Sequence, residues 1–164
     1  HLYEQAQALV SKDQMGKPSV EESSYVGRQG DCYFRLGRYS KSVQSFRQAI
    51  AIGEIAPGNF DKAELYYRLG RAYGAQNKPK DAEVSYRHAI AEARKTKDFE
   101  NLEIAKYYHY LANSLTAQDE YKEANKLYYQ SEQLRKRISG DSRMSWPGSG
   151  LPRRVSMALI RWSS

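Results

Sequence analysis

Large apolar and aromatic residues recur along this chain at three- and four-residue steps, the spacing of one helical face. Three stretches that do so can be aligned. The first runs through Val26, Gly30 and Tyr33, then Tyr39, Ser42, Phe46, Ala49 and Ile50. The second runs through Tyr66, Leu69, Gly70 and Tyr73, then Pro79, Ala82, Tyr86, Ala89 and Ile90. The third runs through Tyr108, Leu111, Ala112 and Leu115, then Tyr121, Ala124, Tyr128 and Ser131. Each stretch predicts two packed helices. In the first helix a small residue stands between bulky ones; in the second, a large ring stands between small residues, so each fills the space the other leaves. Gly37 and Asn77 fall where the chain must turn within a pair, and Pro79 opens a second helix, where its missing N–H costs nothing.

The small residues Gly30, Gly70 and Ala112 mark one period of 40 and one of 42 residues. A fixed period in this range marks a helical repeat array. The order Tyr66-x-x-Leu69-Gly70-x-x-Tyr73, then Ala82-x-x-x-Tyr86-x-x-Ala89, resembles the tetratricopeptide repeat. The first repeat departs from that pattern at Gln29 and Ser42, and the third at Ala112, Leu115 and Ser131. The long period is similar to that of the kinesin-light-chain branch. The resemblance implies an all-α, right-handed superhelical solenoid of antiparallel helix pairs. Repeats are expected over 23–54, 61–96 and 99–138. Tyr3, Ala6 and Leu9 share a helical face, and residues 1–12 read as the second helix of a truncated repeat. Residues 139–164 break the pattern. They read either as a disordered tail or, through Leu151, Val155, Leu159 and Trp162, as a short capping helix. The chain begins with His1 rather than Met, as expected of a fragment or a processed start.

Composition changes this picture little. The net charge is +7, but four arginines of the tail supply much of it, and a body so mildly basic does not call for nucleic acid. Mean hydropathy is −0.81 and no apolar run is long enough to span a membrane. The one cysteine, Cys32, forms no internal disulfide; flanked by core positions, it is expected to be a small buried thiol, and a reducing, cytoplasmic setting is favoured. The three histidines are scattered, with His88 expected at the surface or between repeats. No catalytic set, metal site or cofactor motif is expected. Glu21-Glu22 and Asp119-Glu120 read as helix starts. Arg153-Arg154-Val155-Ser156 matches a basophilic kinase site, a four-residue pattern common by chance.

The tetratricopeptide resemblance implies that first helices line a concave face that holds a protein or peptide. Its outward residues are Arg28, Asp31 and Arg35 in the first repeat and Glu64, Tyr67, Arg68 and Arg71 in the second. In the third they are Lys106, His109, Tyr110 and Asn113. Cations outnumber acids there and polar rings are interspersed, which suits an acidic or aromatic-rich segment. A carboxylate clamp of the chaperone-binding kind is not expected, because Gly27 and Asp31 stand where its first pair should be. The expected role is a non-enzymatic scaffold or adaptor. The alternatives are an RNA-associated repeat and a regulatory domain of a larger enzyme or sensor.

Overall fold

The structure, a computed structural model, describes residues 17–95 and 102–139. These form six helices: α1 (Val20–Arg35), α2 (Tyr39–Ile55), α3 (Lys62–Ala75), α4 (Pro79–Ala93), α5 (Leu102–Thr116) and α6 (Tyr121–Ser139). The expectations for residues 1–12 and for the tail beyond Ser139 lie outside the described residues. The helices pack as three pairs, α1–α2, α3–α4 and α5–α6. Helices α2 and α4 also pack on the first helix of the next pair, and successive first helices touch. Among the described residues, contacts therefore run between neighbouring pairs only, the layout of an all-α helical-repeat solenoid.

Local sequence sets where these helices begin. Ser19 caps α1 by accepting from the Glu22 amide at 3.1 Å, and Asp61 caps α3 by accepting from the Glu64 amide at 2.9 Å. Both are the first residue of an S/D-x-x-E capping pattern. Second helices start differently, from one repeated turn. Gly37, Asn77 and Asp119 all have φ between 57° and 70°. The amides that follow them, those of Arg38, Lys78 and Glu120, reach back to the carbonyls of Tyr33, Tyr73 and Leu115 at 2.9–3.0 Å. This six-residue closure satisfies carbonyls that the ending helix would leave orphaned. Asp119 is thus the left-handed residue of a turn and not the helix-start residue expected from its acidity.

Packing follows the predicted complementarity of small and large residues. A Cβ placed on Gly30 would lie 2.8 Å from the Phe46 ring, and one on Gly70 would lie 2.6 Å from the Tyr86 ring. Only a glycine lets these aromatic rings lie on the first-helix backbone. Replacing a mid-helix glycine by alanine ordinarily gains about 0.5–1 kcal/mol. Gly70→Ala should instead cost about 1–3 kcal/mol, because the new methyl would push the Tyr86 ring out of its packing beside Tyr67 and Tyr110. A urea titration followed by circular dichroism checks this, and the added change Tyr86→Leu should recover part of the loss.

Two apolar clusters form the core. One joins α1, α2 and α3 through Phe46, Ile50, Ile52, Leu65 and Leu69. The other joins α3 to α6 through Tyr67, Tyr86, Ile104, Tyr107, Leu111 and Leu115. Helix α3 serves both, with Leu65, Leu69 and Ala72 facing back and Tyr67 facing forward. The two serines that depart from the repeat pattern are buried but satisfied: Ser42 donates to the Gly30 carbonyl at 2.9 Å and Ser131 to the Ala105 carbonyl at 2.6 Å. Cys32 corrects an expectation. It is exposed, because α1 turns that side away from α2 and α3.

Candidate partner-binding surface

The candidate residues on the first helices come together across three elements, and the charged ones are tied to each other. Arg68 on α3 donates to Asp31 on α1 at 2.8 Å and to Glu64, one turn before it, at 3.0 Å. Glu64 also accepts from Lys106 on α5 at 3.2 Å and from the Tyr107 hydroxyl at 3.2 Å. The result is a ladder, Asp31–Arg68–Glu64–Lys106, that crosses all three first helices. Its members are partly exposed, so each pair contributes about 0–1 kcal/mol, and the ladder's main effect is on register and charge. Both acids of the candidate set and two of its cations neutralise one another. Lys106 also sits 4.2 Å from the Tyr67 ring centroid.

Arg28, Arg35 and Arg71 have no acidic partner among the described residues. Arg35 is exposed in the last turn of α1. Arg71 is different: its guanidinium lies 4.7 Å from the centre of the Phe34 ring and 5.8 Å from that of Tyr67. It opens on a hollow of ≈ 370 Å³ that Phe34, Tyr86, Tyr110 and Asn113 also line. The Asn113 carbonyl accepts from the Tyr128 hydroxyl at 2.6 Å, which leaves its amide group for a ligand. A guanidinium held on an aromatic face beside an amide can bind a carboxylate in a forked geometry while apolar walls exclude water.

Two further hollows flank this one. Arg28, Glu64 and Arg68 border ≈ 430 Å³ near the start of α3. Lys106, His109 and Tyr110 border ≈ 350 Å³ between α5 and α6, together with Arg135. Burial and the nearby Arg135 guanidinium hold the His109 imidazole below its usual pKa, so it is uncharged at neutral pH.

Tyr67 does not belong to this surface. It is 5% exposed, with its ring 5.1 Å from Tyr107 and 5.3 Å from Tyr110. It fills the seam between repeats, and Tyr66 beside it is the half-exposed one, stacked on the exposed His88 at 5.0 Å. Sequence reasoning also missed Phe34. Its signal was available, since it lies three residues after Asp31 on the same helical face.

A tetratricopeptide repeat family model matches residues 21–95, and a second of the same description matches residues 104–142. The chain belongs to the tetratricopeptide repeat superfamily. No curated protein gives a significant sequence match. Solved structures show the same fold at low identity. The Sgt2 tetratricopeptide domain from Aspergillus fumigatus superposes with a TM-score of 0.57 at 19% identity, covering 75% of this chain and 72% of that one. BtubC (BKLC) from P. vanneervenii gives 0.69 at 14% identity over 91% of this chain, which spans 60% of BtubC. A kinesin-light-chain protein of nearly identical tetratricopeptide-like repeats from P. anserina gives 0.64 at 18% identity, over 85% and 68%. Tetratricopeptide repeats generally serve as non-enzymatic protein-interaction scaffolds, and this chain carries that architecture. Among the described residues no helix is long and apolar enough to cross a membrane, and no three His, Cys, Asp or Glu side chains gather as a metal site would need.

Proposed function

We propose that the chain holds an acidic peptide segment along its first-helix face, with a ligand carboxylate seated on Arg71 and an apolar or aromatic side chain in the adjoining hollow. The observation that carries this reading is the Arg71 guanidinium, held against Phe34 with no carboxylate partner among the described residues and bordering a hollow with Asn113 and Tyr110. Polar recognition groups of this kind, few and placed at the rim of an apolar recess, orient a ligand more than they add to its affinity. The ladder supports the same reading from the other side. Arg68 and Lys106 are already satisfied, so the surface offers point contacts to carboxylates rather than a continuous positive track for a phosphate backbone. That disfavours an RNA ligand. The neighbours' own partners are not transferred here, because identity below 20% supports fold alone.

Arg71 is also the cleanest residue to change, because Arg68→Glu would place a third carboxylate between Asp31 and Glu64 and break the ladder. A displayed library of peptides carrying Asp or Glu beside aromatic residues should yield binders. For these, Arg71→Glu should weaken binding about tenfold or more while the far-ultraviolet helical signal stays unchanged. Binders whose affinity ignores Arg71→Glu and Asn113→Ala would place the ligand elsewhere.

A further inference from the structure

Glycines within the helices are of two kinds. Among the described residues they are Gly27 and Gly30 on α1, Gly53 on α2, and Gly70 and Gly74 on α3. All but Gly74 lie under a neighbouring side chain. An added Cβ would come within 3.1 Å of Leu65 at Gly27, 2.8 Å of the Phe46 ring at Gly30, 2.7 Å of the Phe60 ring at Gly53 and 2.6 Å of the Tyr86 ring at Gly70. Gly30, Gly53 and Gly70 are therefore seats on which an aromatic ring lies against helix backbone. At Gly74 a Cβ would meet only the Tyr86 hydroxyl, at 4.0 Å. Nor is Gly74 one of the positive-φ glycines, which are Gly37 and Gly58. Neither packing nor backbone geometry calls for glycine there, and glycine weakens a helix relative to alanine.

What sets Gly74 apart is its place. It is exposed and lines the hollow that Arg71 borders. Its register counterparts carry side chains: Phe34 forty residues earlier on α1 and Thr116 forty-two residues later on α5. The middle repeat thus leaves a seat uncovered in a hollow that Phe34, Tyr86 and Tyr110 also line. The hollow, ≈ 370 Å³, is ample for an aromatic ring, since a cavity of about 150 Å³ already holds benzene. We propose that Gly74 is a ring seat: an aromatic side chain of the bound peptide lies on its backbone as Tyr86 lies on Gly70, and a larger residue at 74 would fill the space. This inference rests on the peptide reading of the Arg71 hollow and narrows it to a spacing. Arg71 and Gly74 are three residues apart on one helix face, where Cβ positions stand about 5–6 Å apart. In an extended peptide, residues two apart share a face and stand about 6.7 Å apart. The ligand therefore carries Asp or Glu and, two positions away in either direction, Phe, Tyr or Trp.

Random displayed peptides, selected in parallel on the unaltered chain, Gly74→Leu and Arg71→Glu, test this. The unaltered chain should enrich aromatic residues two positions from Asp or Glu, and Gly74→Leu should lower that aromatic enrichment about tenfold. Arg71→Glu reads the acid enrichment separately. Acid enrichment without an aromatic preference at that spacing overturns the ring seat and leaves the Arg71 reading standing, and so does an aromatic preference that Gly74→Leu leaves intact. Aromatic enrichment that Gly74→Leu removes and Arg71→Glu does not would uphold the seat and overturn the carboxylate reading instead. Enrichment of neither residue type overturns both. Should Gly74→Leu fail to fold, Gly74→Ala decides. It should melt at or above the temperature of the unaltered chain and still weaken the selected aromatic peptides about threefold or more. A lower melting temperature, or unchanged affinity, excludes the seat.

Discussion

Tyr107→Ala should lower the unfolding free energy by about 3–5 kcal/mol, the range for truncating a fully buried aromatic side chain. Tyr107 is 1% exposed and lies where α5 meets α3. Its ring is 5.1 Å from that of Tyr67, and its hydroxyl donates to Glu64. The truncation therefore opens a cavity at the seam between the second and third pairs and removes one of the bonds that anchor the ladder. Because contacts among the described residues run only between neighbouring pairs, the damage should be directional. Hydrogen exchange should rise most in α5 and α6, while α1 and α2 keep their protection. Tyr107→Phe separates the two contributions: it keeps the ring and loses only the bond to Glu64, about 0.5–1.5 kcal/mol. A urea titration of the three proteins checks the order. Equal losses for both variants would mean that the hydroxyl, not the packing, carries the seam.

Raising the pH above about 10 should unfold this chain steeply. Tyr67, Tyr86 and Tyr107 are each at most 5% exposed, and burial pushes their phenols well above the ordinary value. Neighbouring Tyr110 adds to the rise at Tyr67 and Tyr86, and Glu64 adds to that at Tyr107. In the unfolded chain these phenols ionise near pH 10, whereas in the folded chain they stay protonated. The folded state thus binds more protons, and stability falls as pH rises. The contribution is fully present below pH 10 and is lost above it, by about 1.4 kcal/mol per pH unit for each phenol, or roughly 4 kcal/mol per unit for the three. Phenolate absorbance and helical signal measured together check this. Tyr67, Tyr86 and Tyr107 should ionise only as helicity disappears. A full phenolate signal from an intact helical chain would contradict it.

Much of the architecture was legible because it rests on contacts between residues at fixed spacing. Gly30 and Gly70 lie at the small positions of the first helices, and Phe46 and Tyr86 fall sixteen residues later in both cases, so sequence register alone pairs them. The same register places Asp119 forty-two residues after Asn77, and reading it would have identified a turn residue where acidity suggested a helix start. Other features had no such periodic signal. Adjacent Tyr66 and Tyr67 differ by one helical step of about 100°, too little for pattern alone to separate a seam residue from a half-exposed one. Cys32 was misjudged because its burial depends on what covers α1, not on its neighbours in the sequence. The ladder was illegible in principle. Asp31, Arg68 and Lys106 are 37 and 38 residues apart, and only the side-by-side packing of α1, α3 and α5 brings them into one network. Their neutralisation is what narrows the apparently basic surface to Arg71 and its surroundings.

The outer face of α6, where Asn125 and Glu132 flank the exposed Tyr129, also bears on how this stack could be lengthened. An engineer who fused another helix pair after Ser139 would be building on Asn125 and Glu132, whose counterparts are the buried Val43 and Ile50 in α2 and Glu83 and the buried Ile90 in α4. The graft would have no seam to close, and it would hang as a tethered, independently folding unit. Glu132→Ile, which matches Ile50 and Ile90, would be the first requirement for continuous growth in that direction.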